Sequence, residues 1–152
     1  MMRVRFRESL PALSDRSRKA FQLANQEAQR LNHRAVGTDH LLLGLAKERL
    51  SPAAAVLRQV GMGLTSLRRQ VARLHPPGPD GMLLPGALPY AEELTAFLSD
   101  VMAASEASGM VPVTPELLLL ALVEHPTGPT SRLLRQRRLA FWWLRHRARR
   151  LA

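Results

Sequence analysis

The stretch VGTDHLLLGLA, residues 36–46, decides the fold because it carries a signal for the start of a buried helix. Thr38 stands at a cap position, and Asp39 stands in the first turn, where the helix dipole favours a negative charge. His40 follows directly, so three consecutive polar residues raise the question of an active site. The residues behind them form an apolar helical face: Leu41, Leu42, Leu43 and Leu45.

A second copy of this stretch helps to decide whether these polar residues form an active site or only begin a helix. Residues 113–123, VTPELLLLALV, align with residues 36–46 without gaps. Two longer segments align at the same offset: VLRQVGMGLTSLRRQVARL (56–74) and LLRQRRLAFWWLRHRARRL (133–151). The chain is therefore a tandem duplication. Leu117 stands in the second copy where His40 stands in the first, so we predict that His40 is a packed or capping residue and not a catalytic one.

The two copies are joined by HPPGPDGMLLPGALP, whose prolines and glycines are typical of a linker. We expect a basic N-terminal extension (1–12), a first repeat (13–74), the linker (75–89) and a second repeat (90–152). Hydrophobic residues make up 46% of the chain and aromatic residues only 5%, which favours packed helices over a sheet. The sequence therefore predicts an all-α fold, with two pseudo-symmetric four-helix repeats forming one globular domain.

The four helices of the first repeat are placed by local signals. Ser14 is a suitable N-cap for a helix that runs to about Asn32, and a second helix is expected from Thr38 to about Arg49. Three more features place the third and fourth helices: the Ser51-Pro52 pair at a helix start, Gly61 at a helix end, and the apolar spacing of residues 64–74.

The charge of the chain is strongly basic and unevenly placed. Its formal net charge is +10, Lys19 and Lys47 are the only lysines, and no acid follows Glu124. Such a field attracts polyanions, so one interpretation is an arginine-rich helical protein that binds nucleic acid or another anionic surface. We find no cysteine, no signal peptide and no apolar run of membrane-spanning length, and we expect a cytoplasmic protein.

Residues 13–48 carry a resemblance to a known family. The segment LANQEAQRLNH (23–33), followed by GTDHLLLGL (37–45), resembles the Clp N domain, the amino-terminal double repeat of ClpA/ClpC-type AAA+ unfoldases. The resemblance implies a domain that recruits adaptors, substrate proteins or peptides to an ATP-driven Clp ring. The chain is then either an excised domain or a stand-alone relative that acts as a decoy or brings clients to the ring.

The sequence offers no chemistry of an enzyme. It contains neither a phosphate-binding loop nor the G-x-S-x-G elbow of serine hydrolases, so we predict no catalytic residue and no cofactor. We also predict no metal site, because no two of the five histidines stand four residues apart on a helix: His33, His40, His75, His125 and His146.

Some members of the Clp family bind phosphoarginine through a carboxylate of the GT[DE]H motif and a Ser or Thr hydroxyl. The resemblance implicates Asp39 and Ser14 in such a site, which must offer an anion to the guanidinium and donors to the phosphate. In the second repeat Glu116 keeps the acid, but Ala91 replaces the hydroxyl and Pro115 replaces the threonine. The alternative interpretation, that Ser14 and Asp39 only cap helices, stays open at this point.

Three aromatic residues are further candidates for binding. Tyr90 occupies a position where the family has an aromatic or apolar residue lining a peptide groove, although an aromatic at a helix start is also a common staple. Trp142 and Trp143 align with Thr65 and Ser66, and both indoles cannot face a core built on the apolar residues beside them. We therefore predict that at least one tryptophan contacts another chain.

The join between the last two helices differs between the repeats. The glycines of VGMGL (60–64) are absent from RRLAF (137–141), so nothing local forces a break there. We expect the last two helices to be joined by a tighter turn or to continue as one bent helix.

Overall fold

The structure, a computed structural model, describes residues 12–79, 86–135 and 146. Within these residues every regular element is a helix, so the predicted all-α class is confirmed. None of the helices in this part of the chain combines the length and the apolarity needed to cross a membrane. The helices are α1 (Asp15–Arg30), α2 (Thr38–Lys47), α3 (Pro52–Gln59), α4 (Leu64–Leu74), α5 (Glu92–Ser108), α6 (Pro115–Glu124) and α7 (Pro129–Arg135).

Most helix ends follow the local signals of the sequence. The Ser14 hydroxyl accepts the backbone N–H of Ser17 at the start of α1, and Ser51 caps α3 in the same way. The chain leaves α3 through Gly61, whose φ of 75° lies in the left-handed region that favours glycine. These predictions are confirmed, although α1 and α2 each end two residues earlier than expected.

The start of α2 differs from the prediction. Gly37, and not Thr38, is the N-cap, and His40 completes the cap because its Nδ1 accepts the Gly37 N–H at 2.8 Å. The Thr38 hydroxyl donates to the carbonyl of Thr127 at 2.8 Å and accepts from the hydroxyl of Thr130 at 2.7 Å. The capping role of His40 is confirmed, whereas the cap assigned to Thr38 is wrong because that side chain bonds to the second repeat.

Helix α2 is the centre of the molecule. It packs against α1, α3, α4, α6 and α7, and every residue from Thr38 to Ala46 is buried. Its closest approach is to α1, where a Cβ on Gly44 would stand 2.2 Å from the carbonyl oxygen of Ala20 and 2.9 Å from the nitrogen of Ala24. Glycine is therefore required at the point where these two helices cross.

A buried charge ties α1 to its neighbours. Glu27 of α1 has 0% exposure, and its carboxylate accepts hydrogen bonds from Arg68 of α4 and from Arg30, each at 2.6 Å. Burial raises the pKa of Glu27, but the hydrogen bonds from Arg68 and Arg30 outweigh this effect and hold the pKa below its ordinary value. Lys47 of α2 lies 3.9 Å from the same carboxylate. We call these four residues the Glu27 cluster.

The two repeats exchange backbone contacts across a pseudo-twofold axis. Leu13, just before α1, forms an isolated parallel bridge with Val113, just before α6. The equivalent residues of the opposite repeats, Tyr90 before α5 and Val36 before α2, form the equivalent bridge. Each repeat's first helix therefore begins beside the second helix of the other repeat.

Several predictions concern residues that the structure does not describe. These are the N-terminal extension up to residue 11, the middle of the linker (80–85), the join at 137–141 and both tryptophans, Trp142 and Trp143. The contact proposed for the tryptophans and the domain boundaries therefore stay predictions.

Candidate functional site

One junction between the repeats brings the start of α1 to the start of α6. The N–H of Ser14 donates to the carbonyl of Val113 at 2.9 Å, and the Ser17 hydroxyl donates to the same carbonyl at 2.7 Å. The half-buried Ser14 hydroxyl donates to that of Ser17 at 3.1 Å while it accepts the Ser17 N–H. Two helix N-termini, each the positive end of a dipole, thus begin at one place. We call this the Ser14 junction.

Glu116 lies in the first turn of α6, three residues after Val113. Its Oε1 is shielded from solvent and has no hydrogen-bond partner within the described part of the chain. A buried carboxylate oxygen without a donor is costly, and a guanidinium, with several N–H donors, suits it well. The backbone contacts therefore bring Ser14 next to the segment that carries Glu116, whereas the family resemblance had grouped Ser14 with Asp39.

The equivalent junction brings the start of α5 to the start of α2. The N–H of Ala91 donates to the carbonyl of Val36 at 2.8 Å, three residues before Asp39. Asp39 is only 2% exposed, and both carboxylate oxygens are engaged, because Oδ1 accepts the His40 N–H at 3.0 Å and Oδ2 lies 2.8 Å from Nδ1 of His75. Ala91 supplies no hydroxyl, so this junction lacks the side-chain donor present at the other.

Two histidines of the first repeat, His33 and His40, meet His75, the first residue of the linker, beside α2. Nδ1 of His33 lies 2.7 Å from Nε2 of His40, and Nε2 of His33 lies 2.9 Å from the carbonyl oxygen of Pro76. The ring of His75 stacks on that of His33, with centroids 3.6 Å apart and planes within 11°. The sequence analysis considered only histidines four residues apart on one helix. It missed this cluster because His33 follows α1, His40 lies in α2 and His75 follows α4.

The directions of the hydrogen bonds fix where the protons of this cluster lie. The Gly37 N–H can only donate, so Nδ1 of His40 accepts and the His40 proton is on Nε2. That proton is donated to Nδ1 of His33, whose own proton on Nε2 is donated to Pro76. Both rings are therefore neutral. In agreement, burial lowers the pKa of His40 to about 4 and also lowers the pKa of His33.

The three imidazoles lie close enough to be tested as a metal site, since they offer nitrogens within 4.8 Å of one another. Coordination through Nε2 of His40 would move its proton to Nδ1, where it would face the Gly37 N–H. The rings of His33 and His75 are nearly parallel, so their lone pairs do not converge on one point. The cluster fits a hydrogen-bonded relay better than a zinc site, and the absence of a metal stays a prediction.

Tyr90 packs at the boundary between the repeats. Its ring stacks on Phe21 of α1, with centroids 5.7 Å apart and planes within 15°. Burial raises the pKa of its phenol to about 12. Phe21 belongs to the first repeat, whereas a staple would pair Tyr90 with a residue in the first turn of α5, so this stacking joins the two repeats. The role of Tyr90 in a peptide groove stays a prediction.

Comparison with known proteins places these features in a family. The sequence profile of the Clp repeat (R) N-terminal domain matches residues 12–137. The ClpC/MecB negative regulator of genetic competence of Bacillus subtilis (strain 168) is 30% identical over 121 residues, which are 80% of this chain and 15% of that protein. The chloroplastic chaperone protein ClpC3 of Oryza sativa subsp. japonica is 34% identical over 128 residues, 81% of this chain and 13% of that protein. The chain spans less than a sixth of the length of these relatives.

A solved structure shows the same fold. The N-terminal domain of the caseinolytic protease associated chaperone ClpD from Arabidopsis thaliana superposes with a TM-score of 0.72 and 22% identity, covering 93% of this chain and 98% of that chain. At this identity the likeness concerns the fold alone. The family match extends from the first repeat into the second and relates the protein to the Clp chaperone-protease system. The chain belongs to the Clp repeat (R) N-terminal domain family.

Proposed function

We propose that this domain is a non-catalytic binding module that captures adaptor or substrate proteins for a Clp ATPase ring, and that it holds them by an arginine side chain carrying a phosphate. Membership of the family supports the first part. One observation carries the second: the buried Oε1 of Glu116 has no donor within the described residues, and Glu116 follows by three residues the Val113 carbonyl to which Ser14 and Ser17 donate.

The chemistry of the Ser14 junction suits both ends of such a ligand. The guanidinium N–H groups donate to Glu116, and the phosphate accepts from the Ser14 hydroxyl and from N–H groups at the start of α1. The Ser14 hydroxyl keeps its capping bond from Ser17 and only rotates its proton from Ser17 Oγ towards the ligand. Binding gives the buried acid the donors that it lacks.

Calorimetric titration of free phosphoarginine into the protein tests this proposal. We expect Glu116→Gln to weaken binding about tenfold or more, because a hydrogen bond to a charged group contributes on the order of 1.5–3 kcal/mol. Asp39→Asn is the matched control, since its carboxylate is already bonded within the fold, and circular dichroism checks that both variants stay helical. Equal affinity of Glu116→Gln and the parent protein, or equal affinity for unmodified arginine, would contradict the proposal.

A further inference from the structure

The Glu27 cluster holds more positive charge than its one acid can neutralise. Arg68 donates to Oε1 of Glu27 through Nε at 2.9 Å and through Nη2 at 2.6 Å. Arg30 donates to Oε2 through Nε at 2.6 Å, and Nζ of Lys47 lies 3.9 Å from Oε1. Within the described residues, none of these three cations forms an ion pair with any other carboxylate. One arginine would neutralise Glu27, so the cluster carries an excess of two positive charges.

The cations of the cluster reach the solvent, although their acid does not. The exposed fraction of the side chain is 42% for Arg30, 35% for Arg68 and 30% for Lys47, against 0% for Glu27. In the described part of the chain, Nη1 and Nη2 of Arg30 and Nη1 of Arg68 have no hydrogen-bond acceptor. These N–H groups can therefore donate to an anion that approaches from the solvent.

Glu27 also holds the two arginine side chains in place. An unbonded arginine loses rotamer freedom when it binds a ligand, and this loss weakens binding. The loss is smaller for Arg68, which two hydrogen bonds already fix, and for Arg30, which one bond fixes. The next residue of α4, Arg69, is exposed and has no such bond to the described residues. The cluster is therefore better prepared to bind an anion than a neighbouring surface arginine is.

The cluster is a property of the first repeat. Three of its four members have equivalents without positive charge in the second repeat: Ala104 for Glu27, Ala107 for Arg30 and Glu124 for Lys47. The wider charge follows the same division. Residues 12–73 contain eleven lysines and arginines and four acids, whereas residues 74–131 contain seven acids and no lysine or arginine. An acidic partner is therefore attracted to the first repeat and repelled by residues 74–131.

We propose that the Glu27 cluster is a docking site for an acidic segment of a partner protein, whose aspartate or glutamate side chains accept hydrogen bonds from Arg30 and Arg68. An arginine fork matches the two oxygens of a carboxylate, and Lys47 adds charge beside it. The three cations converge on one carboxylate instead of following a line, which suits a short acidic segment better than the regularly spaced phosphates of a nucleic acid.

The charge of the whole chain also favours a different, acidic protein over a second copy. Two molecules that each carry a net charge of +10 repel each other, whereas an acidic partner is attracted from a distance. This inference deepens the proposed function by naming a class of partner. It rests on the domain being a protein binder, but not on the Ser14 junction.

Fluorescence anisotropy with a labelled synthetic peptide tests the inference on the full chain. The probe contains aspartate and serine, and the matched probe has asparagine in place of aspartate. We expect Arg68→Gln to weaken binding of the aspartate probe about fivefold or more at low ionic strength, with a smaller difference at high salt. Arg69→Gln removes the same charge from the adjacent position and should alter the affinity less than about twofold.

A second pair of variants avoids the bonds that hold the buried acid. Lys47 donates no hydrogen bond to Glu27, so Lys47→Gln leaves the bonds from Arg68 and Arg30 intact. It should weaken binding of the aspartate probe about threefold or more at low ionic strength. Lys19→Gln, at an exposed position of α1, should bind as the parent protein does. Circular dichroism checks that all four variants stay helical.

The comparison within each pair is decisive, because the arginines after Glu124 also attract an acidic probe. Equal affinity of the two members of either pair, or equal affinity for the asparagine probe, would overturn the inference. A loss of phosphoarginine affinity in Arg68→Gln would place a phosphate in the cluster and would overturn the choice of a carboxylate.

Other partners of the cluster give different results. Duplex DNA that loses affinity in Arg68→Gln, while the aspartate probe does not, would overturn the inference in favour of a nucleic acid. A dimer in sedimentation that Arg68→Gln dissociates would overturn it in favour of a second copy. If the aspartate probe fails to bind but phosphoarginine binds, only this inference fails. If neither binds, the proposed function fails too.

Discussion

Leu13 pairs with Val113 across the boundary between the repeats, so the backbone just before the first helix is held by the opposite half of the chain. The bridge between Val36 and Tyr90 repeats this arrangement with the roles reversed. Neither repeat alone can form the backbone hydrogen bonds of these two bridges. The repeats should therefore unfold as one cooperative unit, and a substitution in either half should lower the stability of both.

Glu27 should be essential for stability. Glu27→Gln leaves Arg68 and Arg30 without a charged acceptor and should lower the free energy of unfolding by about 2 kcal/mol. Urea denaturation followed by circular dichroism measures this change. Glu106→Gln, on an exposed part of α5, should cost less than about 0.5 kcal/mol. Similar costs for the two variants would mean that the Glu27 cluster contributes nothing beyond packing.

Gly44 should not tolerate even one added carbon. Gly44→Ala raises the helix propensity of α2 but forces a methyl group against the backbone of Ala20, so we expect a loss of at least about 2 kcal/mol. The control is Ala121→Gly at the equivalent position, which should cost only about 1 kcal/mol through propensity. Thermal melting of both variants tests this, and a stabilised Gly44→Ala variant would refute the close crossing.

The neutral histidine relay should make stability depend on pH. Histidines of the unfolded chain titrate at about 6.5, whereas the pKa of His40 in the fold is about 4. Between these values the unfolded state binds more protons, so the free energy of unfolding should fall as the pH decreases from about 6.5 to about 4. Each such histidine contributes a slope of up to about 1.4 kcal/mol per pH unit, and the contribution is complete above about pH 6.5.

Urea denaturation at a series of pH values measures that slope. The slope should be smaller in His33→Gln, which removes one titrating ring of the relay. It should be unchanged in His125→Gln, because that exposed residue is outside the relay. A free energy of unfolding that stays constant between about pH 7 and about pH 5 would be incompatible with two neutral buried rings.

Zinc should not stabilise the domain. The nitrogens of His33 and His40 are already engaged in hydrogen bonds, so a metal would have to break the relay in order to bind. We expect the same Tm with equimolar ZnCl₂ as with EDTA. A rise in Tm that disappears in His75→Ala would identify the cluster as a metal site after all.

The nucleic-acid alternative has its own test. The arginines that motivate it are concentrated after Glu124, largely in residues that the structure does not describe. If it holds, duplex DNA should bind with a log affinity that falls linearly with log salt concentration. Absence of binding at low salt would end this interpretation.

Local signals in the sequence predicted the helices better than the contacts between them. The Ser14 and Ser51 caps and the end at Gly61 depend only on neighbouring residues. The duplication predicted four helices in each repeat, and the described residues contain four in the first repeat and three in the second. The cap of α2 was misassigned because Thr38 follows the usual pattern, while its bond to Thr127 depends on the tertiary fold.

The site was harder to predict for the same reason. The family resemblance groups Ser14 with Asp39 because the two residues match the hydroxyl and the acid of one site within the first repeat. The fold instead brings Ser14 to Val113, since the first helix of each repeat begins beside the other repeat. Likewise His33 and His75 meet only because the chain segments after α1 and α4 return to the same end of α2. No sequence spacing encodes either encounter.

The two bridges between the repeats, Leu13–Val113 and Val36–Tyr90, affect how far the structures of the two halves can differ. A chain of one repeat could form the same backbone hydrogen bonds only as a homodimer. The crossing of its first two helices would then be identical in both subunits by symmetry. Joining the halves by a linker replaces that association with an intramolecular step at high effective concentration. It also frees each half to change alone, so the first two helices of the first repeat can pack closely at Gly44 while those of the second repeat keep a cleft at Ala121.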